Sequence, residues 1–304
     1  MSRLGLGCNN FGRKVDREGA RAVVEAALDC GITFFDTAET YGGGDSERFL
    51  GEALERRRDR VVLATKLGGG PPDGTPRGSR NSVRRSVEGS LERLQTDCID
   101  LLYYHVPDGV TPIAETLGAT QELVDEGKAL ALGCSNFSAQ QLGDAEEVAR
   151  SSGGSRFEAL QNQYSLLERD ADADVLPLCV ELEIGFVAYF PLASGLLTGK
   201  YRRGEPAPEG TRLSLWGGEL LGAETFDRLD QLTAFAEEWG RSLHELALSA
   251  VSSTPGLASV LVGAVSPDQV RENVAAARRE LTPHELAAIP RIEGHGVHTG
   301  PRRH

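Results

Sequence analysis

The chain has 304 residues, 40% hydrophobic and 25% charged, enough apolar surface for a buried core and too much for wholesale disorder. Its net charge of −13 provides no basic footprint for sequence-independent binding of nucleic acid or of an anionic membrane. No apolar run approaches the length of a transmembrane helix, and Met1-Ser2-Arg3 leads into Leu-Gly-Leu-Gly without a secretory apolar region.

The cysteines Cys8, Cys30, Cys98, Cys134 and Cys179 are odd in number and contain no C-x-x-C, which fits buried thiols in a reduced, cytoplasmic compartment.

Short apolar runs alternate with helical periodicity along the whole chain. A run at 3–6 precedes an amphipathic stretch at 16–30, with Ala22, Val23, Ala26 and Ala27 on one face. Strand and helix patterns then follow at 33–36 and 46–54, at 61–66 and 81–94, and at 99–104 and 112–126. Pro112 stands where helices favour proline. The alternation continues at 129–134 and 139–150, at 160–164 and 170–182, and at 184–189. Residues 190–222 carry no clear period, helical patterns resume at 225–239 and 243–251, and a last strand at 259–262 precedes a helix at 267–279.

Eight strands joined by crossover helices predict a parallel sheet. The count and length favour an α/β fold of the (β/α)8 TIM-barrel type, one domain over 1–304, with a long loop after strand seven and a C-terminal tail. Periodicity alone also admits an open, doubly wound sheet.

In a parallel barrel the reactive groups stand where strands end. Those positions hold Cys8-Asn9-Asn10, Asp36 with Tyr41 just beyond, Lys66, His105, Ser135-Asn136, Gln161 and Gln163, Tyr189, and Gly263-Ala264. Each has a plain structural alternative: Asp36 a cap, Lys66 a solvated chain, His105 a core histidine, Tyr41 a turn residue. Their concentration on strands two, three and four points to proton chemistry instead. An ammonium beside a phenol favours the phenolate, a carboxylate anchors the ammonium, and a histidine can orient a carbonyl oxygen toward the phenol. A metal-dependent hydrolase would need a His/Asp cluster, and His105 is the only histidine at a strand end. No metal is expected.

The segments 34-FFDTAETYG-42, 61-VVLATKLG-68, 91-LERLQTDCIDLLYYHVPD-108, 130-LALGCSNFS-138, 160-LQNQYSLLERD-170, 187-VAYFPLASGLLTGKY-201 and 261-LVGAVSPDQVRENVAA-276 resemble the aldo-keto reductase family over nearly the whole chain. That resemblance implies a (β/α)8 barrel that binds NADPH and moves hydride to an aldehyde or ketone carbon, with a small-molecule carbonyl as substrate. It implies Tyr41 as general acid, tuned by Lys66 and Asp36, with His105 orienting the carbonyl. It implies that Ser135, Asn136 and Gln161 hold the nicotinamide carboxamide and that Tyr189 stacks on its ring. Pro191, Leu192, Ser194, Leu196 and Lys200 match the segment over the pyrophosphate, and Gly263, Ser266, Gln269, Glu272 and Asn273 match the adenosine end.

Three departures accompany the match. Val265 stands where relatives often carry a base for the 2′-phosphate, with Arg271 or Arg278 as stand-ins, so NADH is a possible cofactor beside NADPH. Phe190 replaces a serine near the pyrophosphate. The hairpin that commonly plugs the barrel floor does not precede strand one. Trp216 is the candidate substrate contact, and His295 or His298 of the tail could also reach the pocket. A second reading keeps the scaffold but makes it a cofactor-binding redox sensor or regulatory subunit, as in potassium-channel β subunits. The oligomeric state is not legible.

Overall fold

The computed structural model describes residues 1–69, 74–216 and 221–290, with the backbone alone at 215 and 216. Eight parallel strands close into a barrel in chain order, β1 (Leu4–Gly7), β2 (Phe34–Asp36), β3 (Val62–Leu67), β4 (Ile99–Tyr104), β5 (Ala129–Ser135), β6 (Phe157–Gln163), β7 (Gly185–Tyr189) and β8 (Leu257–Gly263). β8 pairs back onto β1 through Leu4↔Val260 and Leu6↔Val262, so no strand edge is left open. Closure decides the question that periodicity left between a barrel and an open sheet.

The helices outside the barrel are α1 (Arg17–Asp29), α2 (Asp45–Leu54), α3 (Arg80–Leu94), α4 (Ile113–Asp125), α5 (Ala139–Ser152), α6 (Val175–Glu181), α7 (Arg212–Trp216), α8 (Ala223–Glu238), α9 (Leu243–Ser253), α10 (Pro267–Ala276) and α11 (Pro283–Ala288). Their starts are written locally. Asp16 accepts from the Gly19 amide at 2.9 Å, and Ser138 with Gln141 and Ser242 with Glu245 close capping boxes.

Strand alternation divides the core in two. Outward residues such as Leu6, Phe35, Leu63, Leu102, Leu160 and Val260 pack against Val23, Leu50, Val83 and Leu123 of the helices. Inward residues Phe34, Ala64, Leu101, Tyr103, Ala159, Val187 and Leu261 fill the barrel itself. A further cluster joins α8 and α9 to the segment after β7 through Leu197, Leu213, Leu229, Leu232 and Leu246.

Four expectations change. The helix expected at 170–182 begins only at Val175, after a short 3-10 turn at Asp170–Asp172. Pro177 explains this, because a proline is tolerated in a first turn but not within a continuous helix. The stretch without periodicity holds a 3-10 segment, Ala193–Thr198, and α7. α10 ends at Ala276 rather than at 279. α11 was missed, although Pro283 and the Thr282–Glu285 capping box announce it.

Candidate active site

The C-terminal rim of the barrel collects the predicted side chains. Asp36 ends β2, and Lys66 sits in β3, paired in register with Tyr103 of β4. His105 follows β4, its amide bonded to the Leu67 carbonyl at 2.9 Å. Tyr41 opens a 3-10 turn, Tyr41–Gly44, whose amide donates to Ala38 O at 3.0 Å. Thr37 and Ser46 share a hydroxyl hydrogen bond of 2.8 Å, and the Ser46 hydroxyl donates to Cys8 O at 2.8 Å, tying the turn to β1. Gly42 has φ +59°, and a Cβ there would stand 2.7 Å from Phe11 O, so the turn against the loop after β1 requires glycine.

Lys66 and Asp36 form a buried ion pair, each almost fully enclosed. The ammonium also donates to Thr37 O at 2.8 Å and reaches the Tyr41 hydroxyl at 3.5 Å. Burial alone would lower the lysine pKa, but Asp36 and then Tyr41 outweigh it and hold the group above its ordinary value, as an ammonium. The second Asp36 oxygen accepts from the Gln161 amide at 2.8 Å. Tyr41 and His105 meet edge to face, with ring centroids 6.0 Å apart. The four candidate residues for proton transfer therefore stand in contact, with the Tyr41 hydroxyl at the end of the Asp36–Lys66 chain.

Asn136 adopts φ +61° and binds three strands together. Its amide nitrogen donates to His105 O at 2.9 Å and to Ser135 Oγ at 3.0 Å, and its carbonyl accepts from the Tyr189 hydroxyl at 2.7 Å. Asn162, absent from the sequence reading, fixes this bend by accepting from the Asn136 backbone at 2.8 Å and donating to Phe137 O at 2.9 Å. Tyr189 is half-buried at the rim, and Ser135 is enclosed beside Asn136.

The segment after β7 winds through positive φ at Phe190, Ala193 and Ser194. Pro191 and Leu196 are buried, Leu196 in the core beneath the segment, so their side chains serve packing. Gly195, at φ +94°, leaves room for the Lys200 ammonium, which a Cβ there would approach to 2.5 Å. Phe190 does more than remove a donor: it meets the Tyr189 ring at 5.2 Å, and the Arg212 guanidinium lies 4.7 Å from its centroid.

Arg212 and Lys14 were not singled out in sequence. Lys14 reaches across from the loop after β1 to donate to Gly210 O at 2.8 Å. Burial and then the neighbouring Lys14 and Arg212 charges push the Lys200 pKa down. Burial likewise lowers Arg212, which also feels Tyr201, Tyr41 and Arg13. A patch of four cations at the rim of an acidic chain is suited to a polyanionic group.

The β8 end carries Gly263 as its last strand residue, Ser266 just before α10, and Gln269, Glu272 and Asn273 on that helix. Ser266 caps that helix, Gln269 accepts from the Val265 amide at 2.9 Å, and Asn273 donates to Gly263 O at 3.4 Å while bonding His244 at 3.0 Å. Glu272 is exposed. Neither proposed stand-in arginine is a free cation at this end. Arg271 pairs with Asp268 at 2.7 Å, and Arg278 lines a cavity of about 220 Å³ with Ser2, Arg3 and Ile32 at the opposite mouth of the barrel.

The Trp216 side chain, and His295 and His298, lie outside the described residues. Among the described residues no group of three or more His, Cys, Asp or Glu side chains could hold a metal ion, and no helix is long and apolar enough to cross a membrane.

Known proteins resemble this chain over most of its length. The chain is 36% identical over 295 residues, 91% of its length and 87% of the relative's, to a probable voltage-gated potassium channel subunit beta of Oryza sativa subsp. japonica. It is 34% identical over 310 residues, 96% of its length and 92% of the relative's, to a probable voltage-gated potassium channel subunit beta of Arabidopsis thaliana. The aldo/keto reductase family model matches residues 3–293, and the chain belongs to that family.

Proposed function

We propose that the chain works as one catalytic domain that reduces an aldehyde or ketone to an alcohol with NADPH as hydride donor, in the cytoplasm and on a small-molecule substrate. The carrying observation is the buried chain from Gln161 through Asp36 and Lys66 to the Tyr41 hydroxyl, with His105 against the same tyrosine.

The residues present fit the cofactor. The seat of Lys200 against Gly195, with Lys14 and Arg212 close by, suits phosphates, and Tyr189, Asn136 and Ser135 are hydrogen-bonded to one another and to His105, with Gln161 bonded to Asp36. The bound nicotinamide supplies the hydride. As the carbonyl oxygen gains negative charge, Tyr41 gives it a proton, and Lys66 stabilises the phenolate left behind. Asp36 holds Lys66 in place, and His105 orients the carbonyl oxygen toward Tyr41. NADH is a second candidate donor, since Arg271 is paired with Asp268 and Arg278 stands at the opposite mouth of the barrel.

The names of the two plant relatives support a second reading, a cofactor-binding redox sensor or regulatory subunit with little turnover. One experiment separates the readings. Purified protein is given NADPH or NADH and a reactive aromatic aldehyde, and nucleotide oxidation is followed alongside cofactor binding. Sustained multiple turnover supports the reductase; tight binding without turnover supports the sensor.

A further inference from the structure

Tyr103 is among the largest fully buried side chains of the described residues, and its hydroxyl is enclosed without a well-formed hydrogen bond, the Gln161 amide being its nearest polar neighbour beside Asp36. It lies two residues before His105, paired with Lys66 on one side and with Gly133 on the other. Its ring points into the barrel and forms the floor of the site, packed among Phe34, Ala64, Leu101, Ala159, Val187 and Leu261. Gly133 makes the space: a Cβ there would stand 2.5 Å from the ring carbons. The Lys66 ammonium lies 6.0 Å above the ring centroid.

A phenylalanine would fill this apolar slot without enclosing an unsatisfied hydroxyl, which is costly. The polar groups acting on that hydroxyl are Asp36 and Gln161. Burial, with the Asp36 charge beside it, lifts its pKa well above that of an ordinary phenol, so the hydroxyl stays protonated and can act only as a neutral hydrogen-bonding group. Gln161 meanwhile spends its amide on Asp36 at 2.8 Å. If Gln161 turns to hold the nicotinamide carboxamide, one buried Asp36 oxygen loses its donor.

We propose that Tyr103 is a positioning residue that takes over this Asp36 oxygen, directly or through one water, when Gln161 turns toward the cofactor. The exchange keeps Asp36 satisfied and Lys66 anchored while Gln161 changes partner. The inference rests on the cofactor reading above.

The test uses Tyr103→Phe in the full chain. NADPH binding is measured by protein fluorescence, with 2′,5′-ADP, which lacks the nicotinamide, as a second probe, and thermal melts are recorded without ligand. The exchange predicts about tenfold weaker NADPH binding, unchanged 2′,5′-ADP binding and an unliganded protein at least as stable as the wild type. It also predicts that Tyr103→Phe adds no further loss in a Gln161→Leu background. Equal NADPH affinity in Tyr103→Phe and wild type overturns the inference, as does equal weakening toward both probes. Failure of the wild type to bind NADPH at all would instead sink the cofactor reading.

Discussion

Gln161, on β6, donates to Asp36, on β2, across 2.8 Å of the barrel interior. Residues 125 positions apart thereby share one buried carboxylate, and the Lys66 ammonium holds its other oxygen. The groups proposed to handle the proton and one proposed to hold the cofactor are a single hydrogen-bonded network, so a change in either should be felt by both.

The ion pair should be costly to break from one side. Lys66→Met leaves the enclosed Asp36 carboxyl without its cation, and it is expected to lower stability by about 3–5 kcal/mol in urea unfolding. The double variant Asp36→Leu/Lys66→Met should recover part of that loss, because no uncompensated charge remains. A double variant less stable than the single one would contradict this account of the pair.

The cation patch should control nucleotide affinity. Arg212→Ala and Lys200→Ala are each expected to weaken NADPH binding by about tenfold to a hundredfold, as expected for losing a charge-assisted contact to phosphate. The affinity of each variant should fall less steeply with salt than that of the wild type. Fluorescence titrations at several salt concentrations check both outcomes.

The loop after β4 should respond to acid. Burial would raise the Asp108 pKa, but donation from the amides of Gly78, Thr111 and Val110 and from the Thr111 hydroxyl holds it at about 2. A depressed folded-state pKa contributes stability above the unfolded value, near 3.9, that is lost as pH falls through about 2. Because the group is partly solvated, Asp108→Asn should cost about 1 kcal/mol at neutral pH. Melts of the two proteins should converge by about pH 2.

The barrel was legible because its strands are short apolar runs between helices of period 3.6, and Asp36, Lys66 and His105 fall where those runs end. Local signals could not show what each side chain would meet. That Gln161 binds Asp36, and that Asn136 links His105 to Tyr189, depends on which strands become neighbours when the barrel closes. Arg212 gave no signal, because it lies in a stretch without periodicity and acquires its role only by folding onto Phe190. Phe190 was read as a missing donor, when its ring is the platform for that cation. The break before α6 was legible at Pro177 and was passed over.

The central claim is that Tyr41 donates the proton, and Tyr41→Phe tests it most directly. Steady-state reduction of an aromatic aldehyde is compared between wild type and variant, together with NADPH affinity by fluorescence. The account predicts a fall in kcat of about a hundredfold to ten-thousandfold with cofactor affinity unchanged. Turnover by the variant at the wild-type rate would contradict it.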